Sequence, residues 1–197
     1  MTDFLYQIDV KLFYFINHTL SNPLFDKLFP FLTEVKHWYI AYVILILICF
    51  IKGGRIGKIA AFGMILLIIT TDQFSSFFLK NFFARTRPCN ILQNVNILAT
   101  CTNSYSFPSS HAVNNFGAAM FFSKIFPKIK WYLFITASLM AFSRPYIGIH
   151  YPSDAIGGAV IGMVFGYVFA LVVIKIDKYF AGKKTKITDK YERVKFK

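Results

Sequence analysis

Ser143-Arg144-Pro145-Tyr146-Ile147-Gly148-Ile149-His150-Tyr151-Pro152-Ser153-Asp154 places a guanidinium, an imidazole and a carboxylate in a run that is otherwise apolar or small. A long apolar segment, 155–174, follows at once. Ionisable groups at the mouth of a membrane helix are costly unless they are paired or used. His150 and Asp154 are four residues apart, so one turn of helix brings the carboxylate to the ring. That contact fixes the imidazole tautomer and raises the basicity of the far nitrogen. Pro152 has the preset φ of a first helical residue, which starts a helix here and puts His150 at its positive end. Anions bind well at such an end. Two readings fit this stretch alone: a nucleophilic histidine beside a phosphate site, or a polar cluster that caps and anchors a helix.

The surrounding chain is that of a membrane protein. Of 197 residues, 56% are hydrophobic and 19% aromatic, and the mean hydropathy is +0.51. These values predict an all-α, polytopic helix bundle in a lipid bilayer, with one domain. The start, Met1-Thr2-Asp3-Phe4, lacks a basic region and a small-residue cleavage site, so the membrane helices are expected to do their own targeting. The net charge of +13 does not read as nucleic-acid binding, because the cations sit in short loops and at the C-terminus, the pattern that sets membrane orientation.

Five apolar segments are expected to cross: 37–51, 59–83, 112–126, 131–142 and 155–174. Residues 1–35 are interrupted by Asp9, Lys11, Asn17, His18, Asp26, Lys27 and Glu34 and broken by Pro23 and Pro30. They read as interfacial amphipathic helices, with a sixth span as the alternative. Residues 36–177 form the bundle, and 178–197 a basic, flexible cytoplasmic tail. Asp72 interrupts the second span and is expected to hydrogen-bond between helices. Gly158, Gly162 and Gly166, spaced by four, allow close helix packing.

Two further polar constellations accompany the central stretch. Lys80 and Arg87 are seven apart, two helical turns, which puts both cations on one face before Pro88 stops the helix. Lipid-headgroup snorkelling is the alternative use of such cations. Pro108-Ser109-Ser110-His111 opens a helix, with His111 in its first turn beside free N–H groups. A lone histidine there is structural; as partner to His150 it is a candidate general acid. The polar loop 89–107 carries Cys89 and Cys101, which pair if the loop faces an oxidising compartment and are free thiols otherwise.

Three Lys and Arg lie in the loop at 52–58, three at 124–130 and nine from Lys175 onward, of 22 in all. Five spans with the C-terminus inside satisfy this distribution. All three constellations then share the extracytoplasmic face, as a single site requires and unrelated helix caps do not.

Lys80…Arg87-Pro88, Pro108-Ser109-Ser110-His111 and Ser143-Arg144…His150…Asp154 together resemble the type 2 phosphatidic acid phosphatase superfamily. These are integral-membrane lipid phosphatases related to vanadium haloperoxidases, with the pattern Lys-x6-Arg-Pro, Pro-Ser-Gly-His and Ser-Arg-x5-His-x3-Asp. The likeness covers about residues 75–160. One departure is Ser110, which stands where the family has Gly; its side chain is small and its backbone N–H survives.

The resemblance implies that His150 attacks phosphorus to form a phosphohistidine, that Asp154 orients it, and that His111 protonates the leaving oxygen. Lys80, Arg87, Ser109, Ser110 and Arg144 would hold the phosphoryl oxygens. It implies no metal and no cofactor. The expected partner is a membrane lipid phosphate, and the expected location a bacterial inner membrane with the site facing the periplasm or exterior.

Undecaprenyl diphosphate is the leading substrate by that analogy. Phosphatidylglycerophosphate, phosphatidic acid and lipid A 1-phosphate are alternatives. A lipid phosphotransferase and a membrane transport or binding protein are the other function classes. The absence of inverted repeats counts against transport.

Overall fold

The computed structural model describes the backbone of residues 2–195, with side chains over 4–182. Nine α-helices, with no strand among the described residues, are joined by short π and 3₁₀ turns. At the N-terminus, α1 (Thr2–Tyr14) and α2 (Pro23–Thr33) flank a π turn at Phe15–Thr19. Asn22 caps α2 by accepting from Leu24 and Phe25 N–H, with Pro23 at the first helical position. The prolines therefore do not break this segment as expected: Pro23 opens α2 and Pro30 lies inside it.

The apolar run 37–51 forms α3 (Tyr39–Lys52), whose Ile40, Val43, Leu45 and Ile51 are exposed. These side chains need lipid around them. α4 (Gly54–Gln73) continues through a π segment, Phe74–Leu79, into α5 (Lys80–Phe83). Then come α6 (Pro88–Ile91), α7 (Ser110–Ile125), α8 (Lys130–Tyr146) and α9 (Pro152–Lys195).

Among the described residues, three stretches are long and apolar enough to cross a membrane: Val35–Lys52, Gly54–Ile91, whose helix is interrupted at 84–87, and Pro152–Gly182. The chain is thus a multi-pass membrane protein. α7 and α8, at 16 and 17 residues, fall short of that length. α9 starts at Pro152, as the sequence predicts, but runs past 174 to Lys195. The helix thus continues through the basic residues after Lys175, where no proline stops it.

The glycines of α9 set its distance from α7. A Cβ on Gly162 would lie 2.2 Å from the Val113 carbonyl oxygen, and one on Gly166 2.2 Å from that of Gly117. On Gly158 it would lie 2.7 Å from the Ser109 carbonyl. Backbone meets backbone along this row, which draws the start of α9 against the start of α7. Ser109 N–H donates to the Asp154 carbonyl at 3.1 Å there. Leu67, Phe121, Ala170 and Val173 form the core farther down the bundle. Phe29, Tyr146, Ile147 and Ile149 form a second cluster, which seats α2 under the α8–α9 turn.

Candidate active site

Residues 147–151 form the turn between α8 and α9. Gly148 adopts φ +88°, and a Cβ there would meet the Asn96 carbonyl at 2.7 Å. Only glycine suits both the conformation and the space. The turn buries His150 to 2% exposure. Its Nδ1 faces Asp154 Oδ2 at 3.4 Å. Asp154, fully buried, also accepts the Tyr151 N–H at 2.8 Å, the Ser106 hydroxyl and Arg85 Nη1 at 2.7 Å. A buried carboxylate is tolerable when its lone pairs are filled in this way.

His150 Nε2 points the other way and meets Arg87 Nη1 at 3.1 Å. Arg87 is itself held by the Ser104 carbonyl at 2.8 Å, the Ser104 hydroxyl at 2.9 Å and the Ile149 carbonyl at 3.0 Å. Burial lowers the His150 pKa to about 3, helped by Arg87 and Arg144 and opposed by Asp154. The ring is therefore neutral, and the nitrogen aimed at Arg87 carries the ring's lone pair, which accepts from Arg87 here and suits a nucleophile once that contact is released.

Lys80 and Arg144 are buried, and Lys80 lies within electrostatic reach of Arg87, Arg144 and Asp154. The expected route to this convergence is wrong in one respect. Lys80 and Arg87 do not share a helix face, because α5 ends at Phe83 and Ala84 turns left-handed at φ 43°. Arg87 is an extended residue preceding α6. A backbone reversal, not helical periodicity, brings the two cations together.

Ser109 sits at the N-cap of α7, yet its hydroxyl does not cap the helix. Ser109 Oγ and Arg144 Nε are buried with no hydrogen-bond partner. An unmet buried donor costs about 1–3 kcal/mol, and Ser109 stands at a helix start, where free N–H groups favour an anion. Ser110 Oγ contacts Ser75 and Ser76 Oγ at 3.3 and 3.2 Å, while its N–H lies in the first turn of α7.

His111 is within electrostatic reach of His150, Arg144 and Lys80. Its Nε2 meets the Thr33 carbonyl at 3.1 Å, a contact in which the nitrogen carries the proton. Cys89 and Cys101 are bridged, closing the loop before Ser104 and Ser106. Asp72 accepts from Asn114 at 3.4 Å, between helices. Among the described residues, no group of three or more His, Cys, Asp or Glu is placed to hold a metal ion.

Sequence reading missed Asp9, Thr33, Ser104 and Ser106. Their partners lie 17 to 144 residues away in the chain, and single polar residues in loops and N-terminal helices carry no local signal of such contacts.

The PAP2 superfamily model matches residues 59–178, more than half of the chain and all three constellations. A lipid A 4'-phosphatase of Bacteroides thetaiotaomicron is 30% identical over 89% of this chain and 81% of its own length. An undecaprenyl-diphosphatase of Sulfolobus acidocaldarius is 30% identical over 78% of this chain and 73% of its own. Among solved structures, Aquifex aeolicus LpxE superposes with a TM-score of 0.69 at 31% identity, covering 81% of this chain and 93% of that one.

Proposed function

Given that the chain belongs to the PAP2 superfamily, we propose that this lipid phosphatase works on the extracytoplasmic face through a phosphohistidine on His150. The pair of unmet buried donors, Ser109 Oγ and Arg144 Nε, carries this reading. With Lys80, Arg87 and the first-turn N–H groups of α7, they match the several oxygens of a phosphoryl group.

Binding exchanges two contacts. Phosphoryl oxygens take over Arg87 from His150 Nε2, and the leaving-group oxygen replaces the Thr33 carbonyl at His111 Nε2. His150 Nε2 then attacks phosphorus. The phosphorus–oxygen bond to the lipid breaks, and the departing oxygen takes a proton from His111, which the charge of the bound phosphoryl group has converted to imidazolium. Water next attacks the phosphohistidine, giving its proton to His111, and inorganic phosphate leaves as the bond to His150 breaks. Asp154 holds His150 Nδ1–H and balances the positive ring throughout. Positioning and charge neutralisation supply the catalysis, and no step calls on a metal.

The substrate reading moves from undecaprenyl diphosphate to the 4'-phosphate of lipid A. At equal identity, the relative so named matches 89% of this chain against 78% for the undecaprenyl-diphosphatase. Undecaprenyl diphosphate remains the second reading. Five spans, a cytoplasmic C-terminus and a bacterial inner-membrane location complete the proposal.

The test is phosphate release in detergent from lipid A, undecaprenyl diphosphate, phosphatidylglycerophosphate and phosphatidic acid, with and without an added acceptor lipid. Lipid A is expected to give the highest kcat/KM, and His150→Ala to lose at least about a thousandfold on every substrate. Near-wild-type activity in His150→Ala would remove it as nucleophile. Release that depends on the acceptor would make the enzyme a phosphotransferase.

A further inference from the structure

Behind the His150–Asp154 pair runs a chain of charges that includes none of the residues assigned above to nucleophile, acid or phosphate contact. Arg85 donates through Nη1 to Asp154 Oδ1 at 2.7 Å and to Ser153 Oγ at 2.7 Å. Through Nη2 it donates to Asp9 Oδ2 at 2.6 Å. Its guanidinium lies 3.9 Å from the centre of the Tyr151 ring. Asp9 is 7% exposed and belongs to α1, 144 residues before Ser153. It accepts the Ser153 N–H at 3.0 Å and the Ser153 hydroxyl. A planar fork between two carboxylates leaves Arg85 little freedom.

We propose that Arg85 and Asp9 are positioning residues for phosphoryl transfer: Arg85 fixes the Asp154 carboxylate behind His150, and Asp9, by sharing that guanidinium, preserves the negative charge that Asp154 presents to the ring. The charge arithmetic is simple. Asp154 paired to Arg85 alone is a neutral couple with little hold on a positively charged phosphohistidine. A second carboxylate on the same guanidinium returns the group to one net negative charge. The division of labour follows from the atoms used: Oδ1 of Asp154 takes Arg85, and Oδ2 is left to Ser106, the Tyr151 N–H and His150. The interfacial helix α1 thereby becomes part of the catalytic apparatus, although it lies outside the matched region, 59–178.

This inference rests on His150 being the nucleophile, and its test separates the two. Asp9→Asn keeps size and an oxygen for the Ser153 N–H but removes the charge. It is expected to lower kcat by about ten- to a hundredfold, with KM within about threefold of wild type. The other groups facing His150 are Arg87, Arg144, Asp154 and His111, and all are common to the variants. The acid limb of kcat/KM should therefore move to lower pH in Asp9→Asn and to higher pH in Arg85→Gln. Opposite shifts are beyond a purely architectural role.

Arg85→Lys restores a charge without the fork and should recover part of the rate. If Asp9→Asn keeps the wild-type kcat and acid limb, or loses thermal stability alone, the proposal is overturned, even if Arg85→Gln fails to fold. His150→Ala, assayed in parallel, reports on the nucleophile. An inactive His150→Ala beside a fully active Asp9→Asn sinks this inference only, and an active His150→Ala sinks the reading beneath it.

Discussion

His150 makes the clearest argument at the scale of a single residue. Its ring is buried between cations, so its pKa falls to about 3, against about 6.5 in an unfolded chain. The sign of the linkage follows. Below about pH 6.5 the unfolded chain binds a proton that the folded protein refuses until about pH 3. The stability due to the neutral ring is whole above the unfolded value, erodes as pH falls and is gone near the folded value. Thermal unfolding in detergent should therefore drop between about pH 7 and about pH 4, with a smaller drop in His150→Asn. An equal drop in both proteins would mean that the ring titrates normally. His111 offers a second prediction. As the proton donor it should matter most when the leaving oxygen is a poor one. His111→Ala should lose at least about a hundredfold on an alkyl phosphate and far less on an activated aryl phosphate.

At the scale of elements, the α7–α9 contact and the bridged loop hold the site. Gly162→Ala pushes a methyl group into the Val113 carbonyl, 2.2 Å away, where only backbone can yield. A cost of about 1–3 kcal/mol is expected, read as a lower unfolding temperature together with lost activity, because the same contact aligns Ser109 with Asp154. Gly182, in the same helix, has nothing within 4 Å of the place a methyl group would take. Gly182→Ala should leave activity unchanged and stabilise slightly. The Cys89–Cys101 bridge spans a sequence separation of 12, and removing it with paired serines should cost about 2–4 kcal/mol. Activity should fall with it, since the segment just beyond carries Ser104 against Arg87 and Ser106 against Asp154. Full activity in the serine pair would show that the loop holds its shape unaided.

At the scale of the whole molecule, the cations at 52–58 and 124–130 fall at the α3–α4 and α7–α8 connections, whereas Lys80, Arg85, Arg87 and Arg144 gather around His150 and Asp154. If the site is extracytoplasmic, Asn103→Cys should react with a membrane-impermeant thiol reagent in intact cells, and Lys128→Cys only after permeabilisation. The reverse pattern would invert the topology. Both positions are exposed.

By itself, the chain's order of residues determined the all-helical membrane class, the three motifs and the start of α9 at Pro152. These depend on hydrophobic runs and short spacings, which act within a few turns of helix. Only the tertiary structure decided how Lys80 and Arg87 meet, because a left-handed Ala84 ends the helix that the spacing implied. It alone brought Asp9 to Arg85 and Thr33 to His111, 76 and 78 residues apart. It also left Ser109 Oγ and Arg144 Nε without partners. Such contacts arise from helix packing, where glycine rows and aromatic clusters set distances that no local pattern encodes.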